Sequence, residues 1–390
     1  MQALIIWIAA MNGSVKSMVQ LSACIGWETS AGLARNIKRE LPAVVLYALV
    51  ALVAVANTIN LAADLAAMGE SLRLVIGGPA VLYASLFGLG CLIAEVLIPY
   101  HRYAGYLKLL TLVLLAYVAA AFSVHISWGA VLRSVLIPTL SLDHEFLLMI
   151  VAIFGTTISP YLFFWQASQE AEESRLSHRG RRLPEASRAH SFRHIYVDTW
   201  IGMVFSNIIA FFIIATTAAT LHAGGITRID SAAQAADALR PLAGQLTFAL
   251  FAGGIIGTGL LAVPVLAGSA AYAIAETFGM RGSLELPARR AIGFYAIVGA
   301  ATLAGAGLTL TNIDPITMLF WTAVINGIVA VPIMAAMMVL VSRNNSVLSR
   351  TLPGWLKLLG WLAAGLMAVA VGLLAWSFLA RAGGVVRNVT

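Results

Sequence analysis

The 390-residue chain is 60% apolar and only 11% charged, against about 45–50% and about 25% in ordinary soluble domains. A mean hydropathy of +0.90 over the whole length excludes a soluble enzyme, and equally a protein with one anchor, because a single span of about 20 residues would be diluted away. The net charge of +7 forms no compact basic domain, so nucleic acid is excluded as a partner and membrane loops are left to carry the Lys and Arg.

Uninterrupted apolar runs favour helices over the alternating strands of a barrel. The expected class is an all-α polytopic membrane protein in a lipid bilayer. Runs bounded by charged, Gly- or Pro-containing breaks place ten helices, at about 2-25, 42-67, 79-98, 106-124, 146-168, 198-221, 245-275, 291-309, 314-341 and 357-380. The first is no cleaved signal peptide: it has no basic start, and Lys16 falls inside it. The second carries Asn57, Asn60 and Asp64, and the third carries Glu95. Intramembrane carboxylates are functional candidates by default. Asp64 is expected near an outer helix end and Glu95 near an inner one, so each is either a member of an ion pathway or simply wetted. Asn57 and Asn60, three residues apart, share a helix face and either line a pathway or bond to a neighbouring helix.

The fifth run differs from the rest. Gly155-Thr156-Thr157-Ile158-Ser159-Pro160 puts small, hydroxyl-bearing residues and a proline at mid-span. Pro160 removes one amide donor and clashes with the carbonyl four residues earlier, at Thr156, so the helix is expected to open there. The freed carbonyls need neighbouring helices or an ion, and discontinuous helices of this kind build cation sites in secondary transporters. The loop of residues 169–197, with six Arg, four Glu and His178, His190 and His194, reads as a solvated cytoplasmic loop. In the seventh run the glycines at 253, 254, 257 and 259 follow no strand, so they read as close helix packing and not as a dinucleotide loop. Asp314-Pro315 reads as the N-cap and first residue of the ninth helix, and Asn326 stands at that helix's middle. Cys24 and Cys91 have no CxxC spacing and offer no metal cluster.

With the loop after the first span on the cytoplasmic side, inner segments hold seventeen Lys and Arg against six outside, Lys16 being left within a span. That bias orients the chain. Ten spans so oriented put both termini outside, which leads to the expectation of a further span upstream. Four spans precede the interrupted helix and four follow it before a last one. With the upstream span this is the arithmetic of two inverted five-helix repeats plus one, the interrupted helix opening the second.

The stretch from Gly155 to Glu170 resembles the sixth helix of the NRAMP family of divalent-metal transporters, whose usual form is close to Gly-Ala-Thr-Val-Met-Pro-His-Asn-Leu-Tyr-Leu-His-Ser. Asn57 to Asp64 and Phe320 to Gly327 extend the resemblance. It is nearest a divergent bacterial branch with Thr-Thr-Ile-Ser-Pro in that helix. The resemblance implies one transmembrane domain over 1-390 with a LeuT-type inverted-repeat fold, whose ten helices match the family's second to eleventh. Residues 1-145 are the remainder of the first repeat, 146-341 the second repeat broken at 155-160, and 357-380 an accessory helix. It implies alternating-access carriage of divalent cations of the Mn, Mg or Fe kind across the cytoplasmic membrane, the metal being substrate and no cofactor being required. Proton symport is left open. Thr156, Ser159 and Asn326 are the implied metal ligands, with Asp64, Asn57, Asn60, Thr157 and Tyr161 along an ion or proton pathway. Two departures stand out. The family's Asp-Pro-Gly-Asn motif of the first helix is absent from this sequence. Ser159 takes the place of the family's methionine and Tyr161 that of its histidine, so selectivity leans toward harder, oxygen-seeking cations and any proton coupling falls to carboxylates. The alternative is a truncated, non-transporting member. An intramembrane enzyme fits least, because no HExxH or GxSxG pattern is present.

Overall fold

The computed structural model describes residues 16–98, 105, 111–124, 126, 128–129, 131, 133, 143–178, 185–222, 224–226, 229–311, 313–343 and 352–387. Residues 2–15 of the first expected span, 106–110 of the fourth, and Arg102, Lys108, Arg179, Arg181, Arg182, Arg228 and Arg350 among the orienting charges lie outside them. Regular structure among the described residues is all helical. The principal helices are α1 (Lys16–Thr29), α2 (Leu33–Glu40), α3 (Ala43–Ile76), α4 (Ala80–Leu97), α5 (Leu115–Ser123), α6 (His144–Thr157), α7 (Pro160–His178), α8 (Glu185–Thr217), α9 (Thr247–Phe278), α10 (Ile292–Leu308), α11 (Pro315–Ser342) and α12 (Gly354–Arg387). Among the described residues seven stretches are long and apolar enough to cross a membrane, and two shorter apolar helices span Leu112–Ser123 and Ile292–Leu308. Every expected span but the first, described only from Lys16, has its counterpart among these. Helices win because a bilayer offers no water to a free amide or carbonyl, and a helix satisfies its backbone within itself.

Two expectations are corrected. The second span does not stop at 67: α3 has 34 residues, or about 50 Å at 1.5 Å per residue, against about 30 Å of hydrocarbon. Its polar last turns persist because Arg73 reaches Glu70, three residues back, at 2.5 Å. The expected loop of 169–197 is mostly helix, taken up by α7 as far as His178 and by α8 from Glu185. The start of α11 follows expectation, Asp314 Oδ2 accepting from the amides of Ile316 at 2.9 Å and Thr317 at 3.1 Å.

The chain folds as two compact units, one of Leu41–Val131 and Val197–Phe320, the other of Gln2–Glu40, Leu132–Tyr196 and Trp321–Thr390. In the first, α3 is the hub. A Cβ on Gly305 of α10 would stand 2.8 Å from that of Leu61, and one on Gly259 of α9 would overlap the thioether of Met68. Gly259 is therefore a packing surface, and Gly254 packs closely on Leu114, as small residues in membrane helices generally do. Tyr272 of α9 meets Phe294 of α10 edge-on at 4.9 Å.

Two seams of the second unit position the polar groups. Along α1 and α7, Gly26 sits on the backbone of Ala167, Ser22 Oγ donates to the Phe163 carbonyl, and Ser174 Oγ donates to that of Trp27 at 2.8 Å. Arg175 Nε closes the seam on the Ser30 carbonyl at 3.0 Å. These bonds explain why a polar stretch beyond residue 168 stays helical: its hydroxyls and guanidinium have fixed partners across the seam. The other seam joins α6 to α11 and α12, with His144 Nδ1 and Ser377 Oγ at 2.9 Å.

Candidate functional site

The interruption lies in the second unit, where α6 ends at Thr157 and α7 starts at Pro160. Ile158 leaves the helical region with φ −103° and ψ 55°, its amide still bonded to the Phe154 carbonyl. Beyond it the ladder has lost a donor, because Pro160 has no N–H for the carbonyl of Thr156. Ser159 fills the gap. Its hydroxyl lies 3.0 Å from the Gly155 carbonyl and 3.2 Å from that of Thr156, and its residue is only 4% exposed. A hydroxyl has one hydrogen, so it serves one of the two carbonyls fully at any moment. The other carbonyl and the hydroxyl's own lone pairs remain as oxygen donors.

The break is held in place from behind. A Cβ on Gly155 would overlap the carbonyl oxygen of Ala323 and the amide nitrogen of Gly327 on α11, and one on Gly327 would stand 2.7 Å from the Val151 carbonyl. Two facing glycines thus let α6 and α11 cross backbone to backbone, and buried Asn326 is the neighbour of one of them. In the sequence this crossing is signalled only by the glycines at 155 and 327.

The site residues expected from sequence divide between the units. Thr156, Thr157, Ser159, Tyr161 and Asn326 belong to the second unit, and Asn57, Asn60 and Asp64 to the first. The crossing of α6 and α11 brings the break and the Asn326 backbone together. Thr156 is exposed, and its hydroxyl donates back to Ala152 at 2.9 Å; that of Thr157 does the same to Ile153 at 2.9 Å. Tyr161 is half-buried one residue past the proline. In the first unit Asn57 is fully buried, its Nδ2 donating to the Leu266 carbonyl of α9 at 3.0 Å, while Asn60 Nδ2 donates to Ala56 of its own helix at 2.9 Å. Asp64 is half-buried and sits about three turns before the end of α3, so its expected place near a helix end is corrected by the overrun to Ile76. Glu95 lies in the last turn of α4, near a helix end as expected, yet is only 2% exposed. Wetting does not describe it. Among the described residues no group of three or more His, Cys, Asp and Glu is arranged to hold a metal ion.

An all-helical multi-pass membrane protein with a proline-broken helix at mid-span is the architecture of LeuT-type transporters, and the fold agrees with solved members of that class. The crystal structure of the Eremococcus coleocola manganese transporter mutant H236A superposes with a TM-score of 0.70 at 15% identity, covering 96% of this chain and 87% of that one. The chain belongs to the Nramp family, natural resistance-associated macrophage protein-like, whose model matches residues 3–377. The divalent metal cation transporter MntH of Klebsiella pneumoniae strain 342 is 23% identical over 381 residues, 95% of this chain and 85% of that relative. MntH of Vibrio campbellii is 26% identical over 206 residues, where the match spans 53% of this chain and 45% of that protein. Membership of this family excludes the enzyme reading.

Proposed function

We propose that this protein carries divalent metal cations across the cytoplasmic membrane by alternating access, with Thr156, Ser159 and Asn326 contributing oxygens to the ion. The observation that carries this reading is the Ser159 hydroxyl shared between two carbonyls at a buried helix break. An arriving cation replaces the weaker of those two bonds, so few hydrogen bonds are lost on binding. Oxygen donors favour Mn²⁺, Mg²⁺ or Ca²⁺ over Cd²⁺. The inverted repeats run over 1–145 and 146–341, and 357–380 is accessory. Asp64, half-buried in α3, is the titratable member of a coupling pathway for protons that includes Asn57, Asn60, Thr157 and Tyr161.

Uptake by the protein in proteoliposomes tests the reading. Ser159→Met places a thioether at the break and shifts preference toward Cd²⁺, while Mn²⁺ or Mg²⁺ uptake falls; an unchanged preference in a folded variant refutes Ser159 as a ligand. The seventeen-to-six charge bias predicts that a cysteine introduced near Arg290 is shielded from an impermeant thiol reagent in intact cells and one near Arg228 is labelled. The reverse pattern inverts the topology.

A further inference from the structure

The first unit buries an acid that no group among the described residues answers. Both carboxylate oxygens of Glu95 are inaccessible and without a hydrogen-bond partner among the described residues, and the residue is 2% exposed. It ends a stripe on α4 formed by Ala84, Gly88, Cys91 and Glu95, the face turned to α3 and α10. Register along that face is fixed by close contacts: Gly88 lies against Leu65 of α3 and Ala306 of α10, Gly299 of α10 against Leu92, and Gly305 against Leu61. One turn on from Gly88, the level of Cys91 and Leu92 on α4 is that of Leu61 and Ala62 on α3 and, between Gly299 and Ala306, that of Thr302 on α10. A helical side chain leans toward its own N-terminus, so Glu95 leans back toward this level. Three further buried oxygens without partners among the described residues are found on these helices, Asn57 Oδ1 and Ser71 Oγ on α3 and Thr302 Oγ1 on α10, and of these Thr302 is the one at the level toward which Glu95 leans.

Charge decides what belongs there. The titratable and charged groups of the packed helices are Tyr47, Asp64, Glu70 and Arg73 on α3, Tyr272 and Glu276 on α9, Tyr295 on α10, and Tyr83 and Cys91 on α4 itself. Tyr272 and Tyr295 hydroxyls are bonded to the backbone of Leu284 and Leu286. The one cation on the four helices, Arg73, is salt-bridged to Glu70 near the end of α3 that meets Ala80 and Ala84, away from Glu95. A buried ionised carboxylate without a counter-charge is far too costly to persist. A divalent ion would overcompensate a single carboxylate and leave a net buried positive charge.

We propose that Glu95 is a monovalent-cation site, neutralised in the folded protein by a bound proton or sodium ion, with Thr302 as its neutral oxygen neighbour. This does not rest on the transport reading. The test compares the protein and its Glu95→Gln variant, which needs no counter-ion, in lipid nanodiscs. Melting is followed from acidic to alkaline pH without sodium, and then on replacing choline chloride by sodium chloride. The native midpoint is expected to move by several degrees relative to the variant, with pH alone if the ion is a proton and with sodium as well if it is Na⁺. Parallel curves for the two proteins under both titrations overturn the proposal. Dicyclohexylcarbodiimide, which modifies neutralised carboxyls in apolar surroundings, then assigns the ion. An adduct at Glu95 that sodium suppresses identifies Na⁺, and one indifferent to sodium identifies the proton. No adduct at Glu95 in a sample whose Cys91 is alkylated by an apolar maleimide also overturns it.

Discussion

Two polar positions inside the apolar slab, Ser159 between α6 and α7 and Glu95 on α4, are nearly equally buried, at 4% and 2% exposed, yet they are treated oppositely. Ser159 is answered within its own turn by two carbonyls. Glu95 has no such answer among the described residues. Burial alone therefore says little about a polar residue in a membrane protein. What matters is whether the backbone nearby has lost donors or acceptors of its own. A broken helix supplies local partners, whereas the turn of α4 toward which Glu95 leans is unbroken, has spent its carbonyls on its own ladder and leaves the side chain to find a ligand.

The strongest way to break this contrast is to disturb what holds the helix break. Gly155→Leu drives a side chain into the Ala323 carbonyl and the Gly327 amide, and its destabilisation is expected at or beyond the upper end of the about 1–3 kcal/mol usual for overpacking. Loss of folded protein on size-exclusion chromatography, or a large fall in melting temperature, checks it; a variant that melts like the native protein shows that α6 and α11 do not cross so closely. Next in size, Ser159→Ala strips the hydroxyl from two carbonyls and is expected to cost about 1–3 kcal/mol, whereas Glu95→Leu should leave stability unchanged or raise it, since a buried carboxyl without a partner among the described residues is replaced by packing. If both variants melt alike, the contrast between the two positions is wrong.

Smaller still is Asn57→Ala, which loses one bond to the Leu266 carbonyl, worth about 0.5–1 kcal/mol between membrane helices; a fall of several kcal/mol in unfolding free energy would point to a larger polar network around it. The least effect belongs to the pair Arg343 and Glu40, 3.0 Å apart and 51% and 41% exposed. Solvent screening limits such a pair to about 0–1 kcal/mol, so Arg343→Ala should melt almost with the native protein at low salt and indistinguishably at high salt.

Most of the architecture could be read in the chain order of its residues. Bilayer thickness and the need to satisfy every amide reduce a span to a length and a composition, and both are local properties. Pro160 announced the break in the same way, since a missing N–H is visible in one residue. The end of α3 was misread because Glu70 and Arg73 look like a loop until they are seen to neutralise each other across one turn. The polar stretch after residue 168 looked solvated because the groups that hold it helical, Trp27 and Ser30, lie more than a hundred residues away in sequence.

The sequence by itself determined the class of protein, nearly all of its spans and the place where one helix opens. Tertiary structure decided the fate of each polar group. It gave Ser159 its two carbonyls and Asn57 its bond to α9, it brought Gly155 against Gly327, and it left Glu95 sealed without a protein partner among the described residues. The physical reason is range: apolar transfer and backbone satisfaction are set residue by residue, whereas the partner of a buried polar atom is chosen by which distant helix happens to pass within about 3 Å of it.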